Sequence, residues 1–171
     1  FIIVIMARQQ LFTENKVTAV LPVMHNPTLG NVGLLMRLWS VVLAGNLIGT
    51  AVAAWAFNYM PIFDEPTRQA FVSIAEDVMK NSPTEMFANA IISGWLVATM
   101  VWMFPVAGAA KIVVIILMTW LIALADTTHI VVGSVEILYL VFNGNLPWSD
   151  FIWPFALPTL AGNICGCLLY T

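Results

Sequence analysis

The chain has 171 residues, of which 61% are hydrophobic and only 9% are charged, with a formal net charge of −3. The mean hydropathy of +0.92 excludes a soluble domain of this size and indicates an integral membrane protein. With no basic tract and a small negative charge, the sequence gives no sign of a nucleic-acid partner, so membrane lipid is the first expected partner.

The first 24 residues form an apolar segment that polar sequence interrupts between Arg8 and Lys16. Apolar sequence on both sides of a polar centre predicts a membrane-spanning helix that is broken halfway. Apolar sequence is already present at Phe1 and still continues near Thr171. We therefore expect a fragment that is cut within a span at both ends.

The central part of the chain predicts two whole spans with a polar connector between them. Residues 34–57 form an uninterrupted apolar run of the length that a bilayer requires. Residues 58–85 combine acidic side chains with apolar residues at helical spacing, which predicts an amphipathic helix at the membrane surface. Ser82, Pro83 and Glu85 have the order of a helix start, with Ser82 as the N-cap, and predict a span from residue 86 to about 106.

A second broken span is predicted between Ile112 and Phe142, an apolar run far longer than one crossing needs. Four polar residues, Asp126 to His129, stand together inside it. Ionisable groups at membrane depth usually face a cavity, a partner or a substrate path. The pattern therefore predicts a helix break with His129 beside a permeation path; the alternative is a histidine that is satisfied within the helix bundle. A last span begins near Phe151.

Two similar motifs follow the two breaks at the same offset. They are Ala44-Gly-Asn-Leu-Ile-Gly49 and Ala161-Gly-Asn-Ile-Cys-Gly166. The second copy comes three crossings after the first, so the two copies point in opposite directions, as in an inverted repeat. We expect one transmembrane domain over 1–171, with 1–57 as the end of the first repeat, 58–85 as the connector and 86–171 as the second repeat. The expected helix-packing residues are Gly45, Asn46, Gly49, Gly162, Asn163 and Gly166.

Taken in order, several elements resemble the formate/nitrite transporter family over essentially the whole chain. They are Leu11-Phe-Thr-Glu-Asn15, the Gly-Asn span, Gly94-Trp-Leu-Val, the mid-span His129 and Gly162-Asn163. The resemblance implies an all-α membrane protein with an aquaporin-like inverted repeat and two broken transmembrane helices. It also implies a homopentamer with one pore per subunit, as a multi-pass protein of the bacterial inner (plasma) membrane.

The resemblance also implies roles for individual residues. Leu11 would line a constriction, with Phe12 beside it, and the Thr13 hydroxyl would lie near His129. Ile122 and Gly94 stand where the family usually has a phenylalanine and an asparagine, so the pore is expected to be wider or less polar. The residues expected to support the two helix breaks are Glu14, Asn15, Asp126 and Thr128.

A small anion that enters an apolar constriction at the breaks loses its hydration. This loss is costly unless a hydrogen-bond donor or a proton compensates for it. Histidine can supply that proton near neutral pH. Asp126 and Glu136 would favour a charged His129 but would also repel an anion, and a role for Asp126 as cap of the second half-helix is preferred to a pore role. A metal site built from these three residues lacks a recurring ligand spacing, and neither a metal nor a cofactor is expected.

The sequence therefore predicts a pentameric channel or proton-coupled transporter for small monovalent anions or weak acids, such as formate or nitrite. One alternative is a non-transporting scaffold subunit that binds partners through residues 58–85. A membrane enzyme using Asp126, His129 and Glu136 is less favoured, because no nucleophile accompanies them.

Overall fold

The computed structural model describes residues 5–6 and 12–169 of the chain, without the side chains of residues 13–18. In that part the regular structure is entirely helical, which confirms the prediction of an all-α protein. The helices are labelled α1 (Phe12–His25), α2 (Leu29–Tyr59), α3 (Glu65–Met79), α4 (Pro83–Ala107), α5 (Lys111–Leu124), α6 (Ile130–Phe142) and α7 (Trp148–Leu168). α7 is kinked at Trp153, whose backbone is extended (φ −134°, ψ 122°).

Three stretches of the described chain are long and apolar enough to cross a membrane. They are Leu29–Tyr59, Pro83–Leu124 and Trp148–Leu168, and they agree with the spans predicted at 34–57, at 86–106 and from Phe151 onward. α2 has 31 residues, and at 1.5 Å per residue it extends about 46 Å. Because the hydrocarbon core is about 30 Å thick, α2 either tilts or projects beyond the lipid.

The long apolar run from Ile112 to Phe142 is two helices and not one. α5 ends at Leu124, α6 begins at Ile130, and the residues between them are not helical. Asp126 lies in this break with a φ of 47°, a left-handed conformation that aspartate tolerates better than most residues. The first break is expected between Arg8 and Lys16. Residues 8–11 lie outside the described residues, and residues 12–16 are already helical, in the first part of α1.

α3 is the amphipathic helix predicted in the polar connector. Its N-cap is Asp64, whose side chain accepts a hydrogen bond from the backbone N–H of Thr67 (3.2 Å). The hydrogen bonds from Thr67 hold the pKa of the Asp64 carboxyl below its ordinary value. The inner face of the helix packs on α6, with Ala75 completely buried and the Phe71 ring centroid 5.7 Å from that of Tyr139.

Arg68 fixes α3 to the end of α2. Its guanidinium donates hydrogen bonds to the carbonyl oxygens of Asn58 (2.9 Å), Met60 (2.8 Å) and Phe63 (3.2 Å). The last carbonyls of a helix have no partner within the helix, so a cation there is favourable. This side chain therefore closes the α2–α3 connection with three bonds.

The predicted helix start at Ser82 is confirmed. The backbone N–H of Ser82 donates to Glu85 Oε2 (2.7 Å), and the N–H of Glu85 donates to Ser82 Oγ (3.3 Å), which together form a capping box at the start of α4.

α4 and α7 pack so closely that glycines are required between them. A Cβ added to Gly166 would lie 2.9 Å from the backbone nitrogen of Trp95, and one added to Gly162 would lie 2.7 Å from the Ala90 Cβ. A Cβ on Gly94 of α4 would lie 2.6 Å from the backbone oxygen of Asn163. Small residues allow two membrane helices to approach to this distance.

Candidate functional site

The break between α5 and α6 is held by hydrogen bonds from other helices and from its own threonines. Thr128 Oγ1 donates to the carbonyl of Met86 (2.8 Å), and Thr127 Oγ1 donates to the carbonyl of Ile122 (3.0 Å). The Ser93 hydroxyl donates to the carbonyl of Thr128. Buried backbone groups that leave a helix need such partners, so these bonds allow the chain to be non-helical at this depth.

Asn163 of α7 is the central polar residue of the site, and its side chain is completely buried. Its Oδ1 accepts from the backbone N–H of Ile130, the first residue of α6 (2.9 Å). Its Nδ2 donates to the carbonyl of Ala90 and to Ser93 Oγ, both at 2.9 Å. One amide side chain thereby connects α4, α6 and α7.

Asn46 of α2 makes the corresponding bond at the other half-length helix. Its Oδ1 accepts from the backbone N–H of Phe12, the first residue of α1 (2.8 Å). Both asparagines of the Ala-Gly-Asn-x-x-Gly motifs therefore bind the first amide of a short helix. The first amides of a helix have no acceptor within that helix, and in both motifs the asparagine side chain supplies the acceptor.

His129 lies at the N-terminus of α6 and is only 2% exposed. It is the N-cap of α6, and its Nδ1 accepts a long hydrogen bond from the backbone N–H of Val132 (3.4 Å). An accepting Nδ1 carries no proton, so this geometry fits the tautomer with the proton on Nε2. The expectation that Asp126 caps this helix is wrong, because the left-handed backbone at Asp126 lies three residues before the cap.

A cavity of about 320 Å³ adjoins the break. His129, Asp126 and Glu136 all line it, although the break prevents the continuous helical face on which they were first placed together. The remaining lining is mostly apolar and comes from α3, α5, α6 and α7: Ile74, Val78, Thr119, Ile122, Ala123, Thr127, Thr128, Val132, Gly133 and Phe155.

A second cavity of about 410 Å³ shares a wall with the first. Ile74, Val132 and Glu136 line both of them, and the second is otherwise bounded by the side chains of Phe57, Phe71, Val131, Val135 and Tyr139. α3 contributes the apolar side chains of Ile74 and Val78 to the first cavity and those of Phe71 and Ile74 to the second. Among the described residues, no group of histidine, cysteine, aspartate and glutamate side chains is arranged to hold a metal ion.

The other residues expected at the pore have different positions. Ile122 and Thr128 line the cavity beside His129. Gly94 instead faces the backbone of Asn163. Phe12 is 2% exposed and packs edge-on against Trp39, with ring centroids 6.3 Å apart.

Four further expected residues are only partly described or not described. Leu11 lies outside the described residues, as do the side chains of Thr13, Glu14 and Asn15. Because α1 begins at Phe12, Glu14 and Asn15 belong to its first turn and do not precede it.

The packing residues of the two motifs differ in their surroundings. Gly162 and Gly166 lie against the backbone of α4, whereas a Cβ on Gly45 or Gly49 would meet nothing within 4 Å. The close helix contact expected at both motifs is therefore present at the second one in the described chain.

Two residues of the site were missed in the sequence. Ser93 bonds both the break and Asn163, and Phe155 closes the cavity against Gly133, where an added Cβ would lie 2.8 Å from its ring. The only signals were a serine beside Gly94 in an apolar helix and a glycine just after the break, and neither identifies its partner.

Comparison with known proteins gives one family. The family model described as formate/nitrite transporter matches residues 1–171. The chain is also 84% identical over 166 residues to the inner membrane protein YfdC of Escherichia coli (strain K12). The aligned residues make up 97% of this chain but only 54% of that protein. The chain thus spans about half the length of this relative. No solved structure matches. The match along the whole chain shows that it belongs to the formate/nitrite transporter family, a family of membrane transporters and channels and not of enzymes.

Proposed function

We propose that the chain is the core of a pentameric channel or proton-coupled transporter for small monovalent anions or weak acids in the bacterial inner membrane. The observation that carries this proposal is the helix break at 125–129, with a buried histidine at the N-terminus of α6 and a cavity beside it. Membership in a transporter family and the name of the inner membrane relative support it.

The proposed architecture is an aquaporin-like inverted repeat. Asn46 and Asn163 support it, because each accepts the first amide of a half-length helix, at Phe12 and at Ile130. In such folds the substrate passes between two discontinuous helices near the bilayer midplane. The first half-helix would bring Leu11 and Thr13 to the route, and the second brings His129.

In this proposal His129 is the group that interacts with the permeating acid. The imidazole is the one unperturbed side chain that changes charge near neutral pH, and here it stands at an apolar cavity without a lysine or arginine among the described lining residues. Weak binding is what turnover through a pore requires. A neutral ring that exchanges a proton with the solute meets that requirement.

The test uses the full-length protein in liposomes that contain a pH-sensitive dye. Formate, nitrite, acetate, lactate and hydrosulfide are applied in turn, at two pH values. We expect entry of at least one of these acids well above empty vesicles. No flux of any of them would contradict the transport function and leave a scaffold role.

A matched pair of variants tests the histidine. His129→Ala is expected to lower flux about tenfold or more and to change its pH dependence, because a group that exchanges protons is lost. His25→Ala is the control, because His25 is the other histidine and is exposed at the end of α1. Equal losses of flux and of assembled protein in His129→Ala would indicate a structural histidine.

A further inference from the structure

The charged side chains of the cavity beside His129 have one sign. Asp126 and Glu136 both line it, and its described lining contains no lysine or arginine. The break contributes Asp126, and the second turn of α6 contributes Glu136. In a pore of this kind the fixed charges have the same sign as an anionic substrate, and they therefore repel it.

No other described element around the cavity supplies a compensating cation. α3 contributes Ile74 and Val78, α5 contributes Thr119, Ile122 and Ala123, and α7 contributes Phe155, so His129 is the only other titratable group among the described lining residues. Tyr139 lines the adjoining space. Three of the described cations are engaged elsewhere: Arg68 bonds three carbonyls, Lys80 pairs with Asp77, and Lys111 lies 4.3 Å from the centroid of the Phe104 ring.

The N-terminus of α6 is also poorly prepared to hold an anion. The N–H of Ile130 is bonded to Asn163, and the N–H of Val132 is bonded to His129 Nδ1. Helix N-termini bind anions through amides that remain available, and here two of the first three amides of α6 are already bonded within the protein.

The acidic lining of the cavity and the bonded amides at the start of α6 both disfavour a negatively charged solute. An anion that enters loses hydration in a mostly apolar space and meets negative charge at short range, without a lysine or arginine among the described lining residues to compensate. The undissociated acid carries no charge and meets neither cost. The discrimination therefore depends on the charge of the solute and not on its size.

Resting on the proposed function, we propose that Asp126 and Glu136 are specificity-determining residues that form a charge filter. The filter admits the undissociated form of a weak acid to His129 and rejects the corresponding anion. These two carboxylates then decide which form of the solute crosses.

The experiment compares two solutes in liposomes that contain the full-length protein. Nitrate stands for an anion that has no neutral form at the pH used, and acetate at a pH slightly above its pKa supplies undissociated acid. For the unaltered protein we expect acetic acid flux above that of empty vesicles and nitrate flux at the level of empty vesicles. Asp126→Asn combined with Glu136→Gln is expected to raise the ratio of nitrate to acetic acid flux about tenfold or more.

A matched control separates the filter from general surface charge. Glu65→Gln combined with Glu76→Gln removes two exposed carboxylates of α3 that do not line the cavity. The control is expected to leave the flux ratio unchanged. A rise in the control equal to that in the cavity variant would overturn the assignment to Asp126 and Glu136.

The outcomes keep this inference distinct from the proposed function. Nitrate flux through the unaltered protein that equals its acetic acid flux would overturn the filter and leave the transporter intact. An unchanged ratio in the cavity variant would also overturn the filter, and Glu136→Gln alone gives the same reading if the double variant does not assemble. No flux of either solute through the unaltered protein would overturn the proposed function itself.

Discussion

The two Ala-Gly-Asn-x-x-Gly motifs have the same polar function in different surroundings. Asn46 and Asn163 each accept the first amide of a short helix. Gly162 and Gly166 lie under the backbone of α4, whereas Gly45 and Gly49 have nothing within 4 Å of an added Cβ. The motif therefore has two separable roles. Its asparagine accepts the first amide of the helix that follows a break, and its glycines permit close packing only where another helix lies against them.

The largest effect on stability is expected when a methyl group is added to the second motif, whose glycines pack against α4. In the full-length protein, Gly166→Ala forces the new Cβ into the backbone of Ile91 and Trp95, so we expect a loss of unfolding free energy of about 3 kcal/mol or more. Gly49→Ala meets none of the described residues, and the better helix propensity of alanine gives a gain of up to about 1 kcal/mol. The measurement is the denaturant midpoint of the detergent-solubilised protein by tryptophan fluorescence.

An equal loss in both glycine variants would remove the difference between the motifs. It would mean that a helix from outside the described chain is seated on Gly45 and Gly49. The same experiment thus either confirms the asymmetry or identifies the missing neighbour.

A smaller difference is expected between the two asparagines. Asn163→Asp keeps an acceptor for Ile130 but loses the N–H groups that bond Ala90 and Ser93, in a completely buried place. We expect a cost of about 2 kcal/mol. Asn46 is only partly buried, so Asn46→Asp is expected to cost less, and the two unfolding midpoints measured side by side test this. A larger cost at Asn46 would contradict the ranking.

Features with a local cause could be predicted from the sequence. The break follows from four polar residues within an apolar run, and the start of α4 follows from Ser82, Pro83 and Glu85. The amphipathic periodicity of residues 58–85 correctly predicted α3. The repeated motif also pointed to the two asparagines, although their bonds to Phe12 and Ile130 required the structure.

Features that depend on packing could not be predicted. Both Asp126 and His129 are plausible caps by position, and the choice is made by the path of the break, which is fixed against α4 by the bonds of Thr128 to Met86 and of Ser93 to Thr128. Likewise, the cavity that Asp126 and Glu136 share is completed by side chains from α3, α5 and α7. No local signal contains either relation.

The three bonds from Arg68 have a mechanical consequence. Lifting α3 away from the cavities while α2 stays in place would break all three of these hydrogen bonds at once. The position of α3 beside the cavities is therefore coupled to that of α2, and the two helices form one hairpin.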